Sequence, residues 1–274
     1  MKILILGAKG MLGTDLVEVF SDGYDILAQD IEDIDITDRD KVERIVNLEK
    51  PQLVINAAAY TDVDGAEDNE ELANKVNGEA PGMLAGICKN NLIPLIHYST
   101  DYVFKGDKEV GYNEDETVNP VNAYGRSKVM GEKNIINNTS DFYIIRTQWL
   151  YGKNGKNFID TILKKAEESD SIEVVNDQFG KPTWTYDLAQ GTRELFESRR
   201  PFGIYHLVNE NKTSWFDFAR ELIKRSGQKV KVKPVATKDY AMKANRPRFS
   251  ILNNTKTDSL RSWQEALKDY FKKL

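Results

Sequence analysis

The first thirteen residues constrain the chain more than any other segment. Ile3-Leu4-Ile5-Leu6 is an unbroken apolar run that leads directly into Gly7-Ala8-Lys9-Gly10-Met11-Leu12-Gly13, where apolar spacing turns helical. Uniformly apolar strands are those buried on both faces, in parallel sheets covered by helices. The three glycines have separable physical uses. Gly7 allows a tight turn, Gly10 lets a pyrophosphate approach the backbone, and Gly13 lets the helix pack close on the strand. The helix start at Met11 and Leu12 adds free N–H donors for the phosphates. The order is G-x-x-G-x-x-G rather than G-x-G-x-x-G. Its place between strand and helix therefore carries the expectation of a dinucleotide site.

The same alternation continues through the first 150 residues. Apolar runs predict strands over 2–6, 24–30, 53–56, 95–99 and 142–147, and helical periodicity predicts helices over 11–20, 41–48, 72–89 and 124–136. That order implies an α/β fold, a doubly wound parallel sheet of Rossmann type. Beyond Gly152 the pattern loosens. Helices are expected over 157–168, 186–197, 214–226 and 262–271, and strands over 172–175, 204–208 and 230–233. Residues 105–120 are polar and turn-rich, and predict a long loop between strand and helix. No Gly/Ser linker separates the halves, so the second is expected to pack on the first without a flexible hinge.

Composition narrows the partners. The 274 residues carry 38 Lys plus Arg against 43 Asp plus Glu, a formal charge of −5, so nucleic acid is not an expected partner. No apolar run reaches the length of a membrane span, and Lys9 and Asp15 follow the first apolar stretch too soon for a signal peptide. A single cysteine, Cys88, excludes a disulfide framework and, with only His97 and His206, a Cys/His zinc cluster. The expectation is a soluble, cytoplasmic protein. Both histidines lie in apolar strands and read as core residues.

Candidate site residues gather at the predicted strand ends. Asp30 ends the second strand, where a carboxylate would bond the adenosine ribose hydroxyls and oppose a 2′-phosphate, so it leans toward NADH over NADPH. Asp35 and Ile36 follow and would flank the adenine. The small side chains of Ala57, Ala58 and Ala59 after the third strand leave room for a nucleotide. Tyr124 and Lys128 are spaced i, i+4 on one helix face. Thr100 puts a hydroxyl at the carboxyl edge of the sheet. Hydride transfer to a carbonyl needs an acid for the developing alkoxide, a group that lowers that acid's pKa, and a second donor. An ammonium beside a tyrosine favours the phenolate and supplies the second requirement.

Taken with these residues, Asn56-Ala57-Ala58-Ala59-Tyr60-Thr61-Asp62-Val63-Asp64, Tyr98-Ser99-Thr100-Asp101-Tyr102-Val103-Phe104, Asn119-Pro120 through Tyr124-Gly125 to Gly131-Glu132, Arg146 to Gly152, Asn176 to Thr183 and Arg246-Pro247-Arg248 resemble the extended short-chain dehydrogenase/reductase family. The likeness runs from end to end, to the branch that reduces the C4 ketone of nucleotide-linked 4-keto-6-deoxysugars, as in dTDP-L-rhamnose synthesis. It implies a dinucleotide-binding domain over 1–152 and a smaller α/β substrate-binding domain mainly over 153–274, which may return strands or helices to the first. It also implies Thr100, Tyr124 and Lys128 as the catalytic triad. Tyr124 would protonate the C4 oxygen, Lys128 would bind the nicotinamide ribose and hold the tyrosine's pKa down, and Thr100 would bond the carbonyl. Asp101, Tyr102, Trp149 and Arg246 would serve the sugar pocket.

Some relatives in that branch dimerise through a magnesium ion held by acidic residues. Asp15 matches one ligand, but the later position is Tyr186, no ligand for a hard cation, and the adjacent Asp187 would point elsewhere on a helix. The expectation is a monomer or weak homodimer that needs no magnesium. Two other readings stay open at this level. One is a non-catalytic dinucleotide-binding subunit, like the regulatory beta subunit of methionine adenosyltransferase, although the full triad favours an enzyme. The other is a reductase or epimerase for a different nucleotide sugar.

Overall fold

A computed structural model describes residues 1–273. The first half runs β1 (Lys2–Leu6), α1 (Met11–Ser21), β2 (Asp25–Gln29), α2 (Arg39–Glu49), β3 (Leu53–Asn56), α3 (Val63–Asp68), α4 (Glu70–Asn74), α5 (Ala80–Asn90), β4 (Leu95–Thr100), α6 (Ala123–Asn138) and β5 (Phe142–Thr147). It continues with β6 (Leu150–Tyr151), α7 (Phe158–Glu168), β7 (Ser171–Val175), β8 (Phe179–Gly180), β9 (Thr183–Trp184) and α8 (Thr185–Glu197). The last elements are β10 (Gly203–His206), β11 (Thr213–Ser214), α9 (Trp215–Ser226), β12 (Lys231–Val235) and α10 (Trp263–Lys273).

Six strands form one parallel sheet in the order β10-β5-β4-β3-β1-β2. The period-2 alternation of β1 divides its side chains between two layers. Ile3 and Ile5 pack with Leu16 and Phe20 of α1 and Leu188 and Leu195 of α8. Leu4 and Leu6 pack with Val42 and Val46 of α2, Leu84 of α5 and Ile135 of α6. Full burial of each such side chain contributes roughly 1.5–3 kcal/mol, which explains why the run tolerates no polar residue. One covering helix and the edge strand β10 come from the second half of the chain, so the main layers use residues from both halves.

The remaining second-half elements build their own core around Tyr151, Trp184, Phe218, Trp263 and Tyr270. There β12 pairs with β7 in parallel, and α7, α9 and α10 supply apolar faces. Among the described residues no helix is long and apolar enough to cross a membrane.

The expected single helix over 72–89 is instead α4, a π-helical segment Lys75–Glu79, and α5. Pro81 has no N–H to give to the carbonyl of Asn77, so the turn can widen there. The widened turn turns Asn77 onto the Tyr60 backbone, which it clasps through both amide atoms at 2.9 Å. A Cβ at Gly131 would lie 2.1 Å from the Asn77 carbonyl oxygen, so only glycine lets α6 cross so near. This fixes α6 beside the loop that follows β3.

Candidate active site

The strand order reverses at β1, which pairs with β2 on one side and β3 on the other. Open parallel sheets bind ligands in the crevice beyond that point, at the carboxyl ends of the strands. A cleft of about 720 Å³ lies there.

On its first-half side the glycine loop forms the wall. Gly7 has φ +75°, and a Cβ on it would come within 2.6 Å of the Ala58 backbone nitrogen. A Cβ on Gly13 would sit 2.0 Å from the Gly7 carbonyl oxygen, so that glycine sets the close packing of α1 on the loop. Gly10 caps α1, and no side chain among the described residues bonds the helix's first N–H groups. They remain free for an anion, with the positive end of the helix dipole behind them. Gly7, Gly10, Met11, Leu12, Gly13, Asp30, Asp35, Ile36, Ala57, Ala58 and Ala59 all line the cleft. These residues suit a dinucleotide: a cradle that a Cβ would fill, an uncapped helix start and a carboxylate at the end of β2.

Asp30 is more engaged than its position suggests. Its Oδ2 accepts the Lys9 backbone N–H at 2.7 Å and its Oδ1 accepts that of Ile31 at 2.8 Å. Each oxygen retains a further lone pair for a ribose hydroxyl. The Lys9 ammonium pairs with Glu32 at 2.5 Å and lies 3.9 Å from Asp33, on the exposed rim.

Across the cleft, β4 ends in Thr100 and α6 supplies Tyr124 and Lys128 one turn apart. The helix is started by Asn122, whose Oδ1 accepts the Gly125 N–H at 2.7 Å. Thr100, Asp101, Tyr102, Tyr124 and Lys128 line one cleft with the glycine loop. Thr100 Oγ1 donates to Asp101 Oδ1 at 2.8 Å, while Asp101 Oδ2 has no hydrogen-bond partner among the described residues. Burial pushes the Asp101 carboxyl up to about 7, against the pull of the Ser250 and Thr100 hydroxyls. The rings of Tyr102 and Tyr124 meet edge to face, with centroids 6.0 Å apart.

Burial sets the surroundings of Lys128 and Tyr124. Lys128 is buried and gives its Nζ hydrogen to the Tyr98 carbonyl at 2.6 Å. Burial draws the amine down to about 8, against the raising effect of Glu132. Tyr124 lies well above the ordinary tyrosine value because of burial and then the Asp101 charge, with only the Thr100 hydroxyl pulling it back. The nearest partner of the Lys128 amine is thus a backbone carbonyl, and burial weakens its charge.

The second-half wall is aromatic. Trp149 follows β5 with φ +49° and stacks on Trp215, centroids 3.5 Å apart and planes 9° apart. A Cβ on Gly180 would meet the Trp149 ring at 2.5 Å, so that glycine makes room for the indole. Both indoles line the cleft, with Gln148, Gly155 and Lys156. Trp215, Gly155 and Lys156 were not legible in the sequence: Trp215 begins a surface helix with no motif around it, and it reaches the site only through the packing of α9. Arg246, expected at the sugar pocket, is not among the described residues that line the cleft. Its guanidinium is forked onto Asp64, at 2.9 Å for both contacts, beside the Tyr102 hydroxyl.

The acidic residues considered for magnesium are engaged elsewhere. Asp15 is buried and accepts the Thr185 hydroxyl. Asp187 takes both arms of Arg261 at 2.9 Å and the Asn209 amide at 2.8 Å. Among the described residues no three of His, Cys, Asp or Glu stand close enough to hold a metal ion.

Comparison with known proteins bears on the family and the fold. The chain matches the RmlD substrate binding domain family over residues 1–274. It is 37% identical to the spore coat polysaccharide biosynthesis protein SpsK of Bacillus subtilis, over 98% of this chain and 96% of that one. It is 38% identical to the dTDP-4-dehydrorhamnose reductase of Burkholderia thailandensis, over 99% and 93% respectively. The crystal structure of dTDP-4-dehydrorhamnose reductase from Bacillus anthracis in complex with NADP superposes with a TM-score of 0.97 at 36% identity, covering 100% of this chain and 99% of that one.

Proposed function

The chain belongs to the RmlD substrate-binding family, and on that footing we propose that it reduces the C4 ketone of a nucleotide-linked 4-keto-6-deoxysugar with a nicotinamide dinucleotide. The observation that carries this reading is the meeting, in one cleft, of an uncapped helix start in the glycine loop with Thr100, Tyr124 and Lys128. Relatives named dTDP-4-dehydrorhamnose reductase and dTDP-4-keto-6-deoxy-D-glucose reductase support dTDP as the carrier and a 6-deoxysugar as the reacting part.

The dinucleotide, when bound, supplies the hydride. Gly7, Gly10 and Gly13 with the start of α1 hold its pyrophosphate, and Asp30 takes the adenosine ribose. Tyr124 keeps its proton at neutral pH, because burial and the Asp101 charge oppose the phenolate. It is thus loaded as an acid, and releases its proton to the C4 oxygen only as negative charge develops there. Thr100, whose single hydrogen goes to Asp101 in the free protein, would turn that hydrogen to the C4 oxygen when the substrate enters. Lys128 binds the nicotinamide ribose with the amine hydrogens not given to Tyr98. Trp149 and Trp215 offer a flat apolar wall to the sugar nucleotide and keep water from the reacting carbon.

Finer assignments follow from the same residues. The Asp30 carboxylate lines the cleft at the end of β2 and would oppose a 2′-phosphate, which supports NADH as the preferred cofactor. The engaged state of Asp15 and Asp187 supports a monomer or weak homodimer that works without magnesium. The deciding experiment incubates the protein with a panel of nucleotide 4-ketosugars and each reduced cofactor, following loss of nicotinamide absorbance. Turnover of a dTDP-4-keto-6-deoxysugar is the expected result. A protein that binds the cofactor but oxidises it with no ketosugar would overturn the assignment in favour of a binding subunit.

A further inference from the structure

Asn56 and His97 are neighbours in the sheet register, each 1% exposed, and the reaction described above uses neither. Their contacts determine where the hydrogens lie. The Ala58 N–H donates to Asn56 Oδ1 at 3.1 Å, which leaves the amide NH₂ as the group facing His97 Nδ1, at 3.1 Å. An NH₂ group only donates, so Nδ1 accepts, and a neutral imidazole must then carry its hydrogen on Nε2. The ring is neutral, because burial and the neighbouring Lys128 charge hold it well below the ordinary histidine value.

Nε2 faces Lys128 Nζ at 3.5 Å. Against an ammonium that arrangement sets donor against donor, whereas against a neutral amine the N–H meets a lone pair. We propose that His97 is a positioning residue for the reduction: locked by Asn56 with its hydrogen on Nε2, it presents that hydrogen to Lys128, favours the neutral amine and turns the amine's own hydrogens toward Tyr98 and the cleft. The proposal rests on the reading of Tyr124 and Lys128 as catalytic residues. Among the described residues the other charged group acting on Lys128 is Glu132 of the same helix, whose carboxylate is already held by Arg146 at 2.7 and 2.9 Å and by Ser99 at 2.6 Å, and Tyr124 stands one helical turn away. The buried amine, drawn down to about 8, changes charge within the working range. Because the ammonium is the form that supports loss of the Tyr124 proton, turnover falls as pH rises through that value.

The chain contains two histidines, so protein labelled with ¹⁵N-histidine reports two rings, and a His97→Phe sample identifies the signal of His97. We expect His97 to carry hydrogen on Nε2 and to stay neutral from pH 5 to 9. Its ring shifts should move near pH 8 in the wild type and stay still in Lys128→Met. Hydrogen on Nδ1, or a ring indifferent to Lys128→Met, would overturn the proposal. Asn56→Asp keeps the acceptor for Ala58 but asks His97 Nδ1 to donate, which reverses the lock. In that variant the alkaline limb of kcat should move up by about one pH unit, with cofactor KM within about twofold of wild type; an unmoved limb would count against the lock. Tyr124→Phe separates the two readings. Full turnover in that variant would sink the catalytic assignment, while the ¹⁵N spectra, which need no turnover, decide the role of His97 alone.

Discussion

The indole of Trp149 lies flat on that of Trp215, centroids 3.5 Å apart, and joins the end of the Rossmann sheet to the first turn of α9. The stack holds Trp149 at φ +49°, a conformation that bulky residues rarely adopt and that concentrates at ligand sites. Phe158 braces Trp215 from the other direction, with ring centroids 4.3 Å apart. The pair gives the cleft an aromatic wall whose position depends on both halves of the chain.

Trp215→Ala should therefore raise KM for the sugar nucleotide by about tenfold, the order expected from losing an aromatic pair. The Kd of the dinucleotide should change less than about threefold. Steady-state kinetics with a separate cofactor titration checks this; an unchanged KM would make Trp215 a support of the core only.

Tyr124→Phe removes the phenolic proton and keeps the ring against Tyr102. We expect kcat to fall by about 10²–10⁴-fold, with cofactor affinity preserved. A variant within a few fold of wild-type kcat would remove Tyr124 from the role of acid.

Cofactor choice is tested at Asp30 and Glu32. NADH should give the higher kcat/KM in the wild type, and Asp30→Ala should narrow or reverse that preference. Glu32→Gln frees the Lys9 ammonium from its 2.5 Å partner, so NADPH should gain several-fold at low salt and less at high salt. A wild type that clearly prefers NADPH, as the NADP bound to the Bacillus anthracis relative invites one to test, would refute the charge argument.

Asp101 predicts a pH dependence of stability. In the unfolded chain its carboxyl releases a proton near the usual 3.8, while in the folded protein burial keeps the proton to about 7. Between those values the folded state binds more protons, so raising the pH lowers stability at this site, and the loss is complete above about 7. Asp101→Asn lacks the titration and should gain stability relative to wild type on going from pH 4 to pH 8, by on the order of a few kcal/mol. Thermal melts at both pH values decide the matter, and equal differences at the two would show that the carboxyl is not held protonated.

Sedimentation with and without EDTA should give the same monomer or weak dimer. Asp15 is bonded to Thr185 and Asp187 to Arg261, so neither is free to meet a partner's cation. A dimer that dissociates on chelation and re-forms with magnesium would overturn this assignment.

Much of this protein is determined locally. The apolar run Ile3–Leu6 with the glycines after it, the i, i+4 spacing of Tyr124 and Lys128, and Thr100 at a strand end are short-range patterns, because a strand alternates every two residues and a helix turns every 3.6. Those periods place the parallel sheet, the glycine loop and the shared helix face of Tyr124 and Lys128 before any tertiary contact is known, while the triad role is what the family resemblance implies. Tertiary structure alone decided what lies far apart in the chain. It brought β10 to the edge of the sheet and Trp215 to the cleft, turned Arg246 onto Asp64, and let Pro81 open the helix that places Asn77. It also settled which partners Asp30 and Lys128 meet: a loop amide for one, the Tyr98 carbonyl and the His97 ring for the other. Residue type and spacing say which groups can donate or accept a proton. Which of them meet, and how much water remains around them, is decided only when distant segments pack, and the proton affinities of Asp101, Tyr124 and Lys128 follow from that burial.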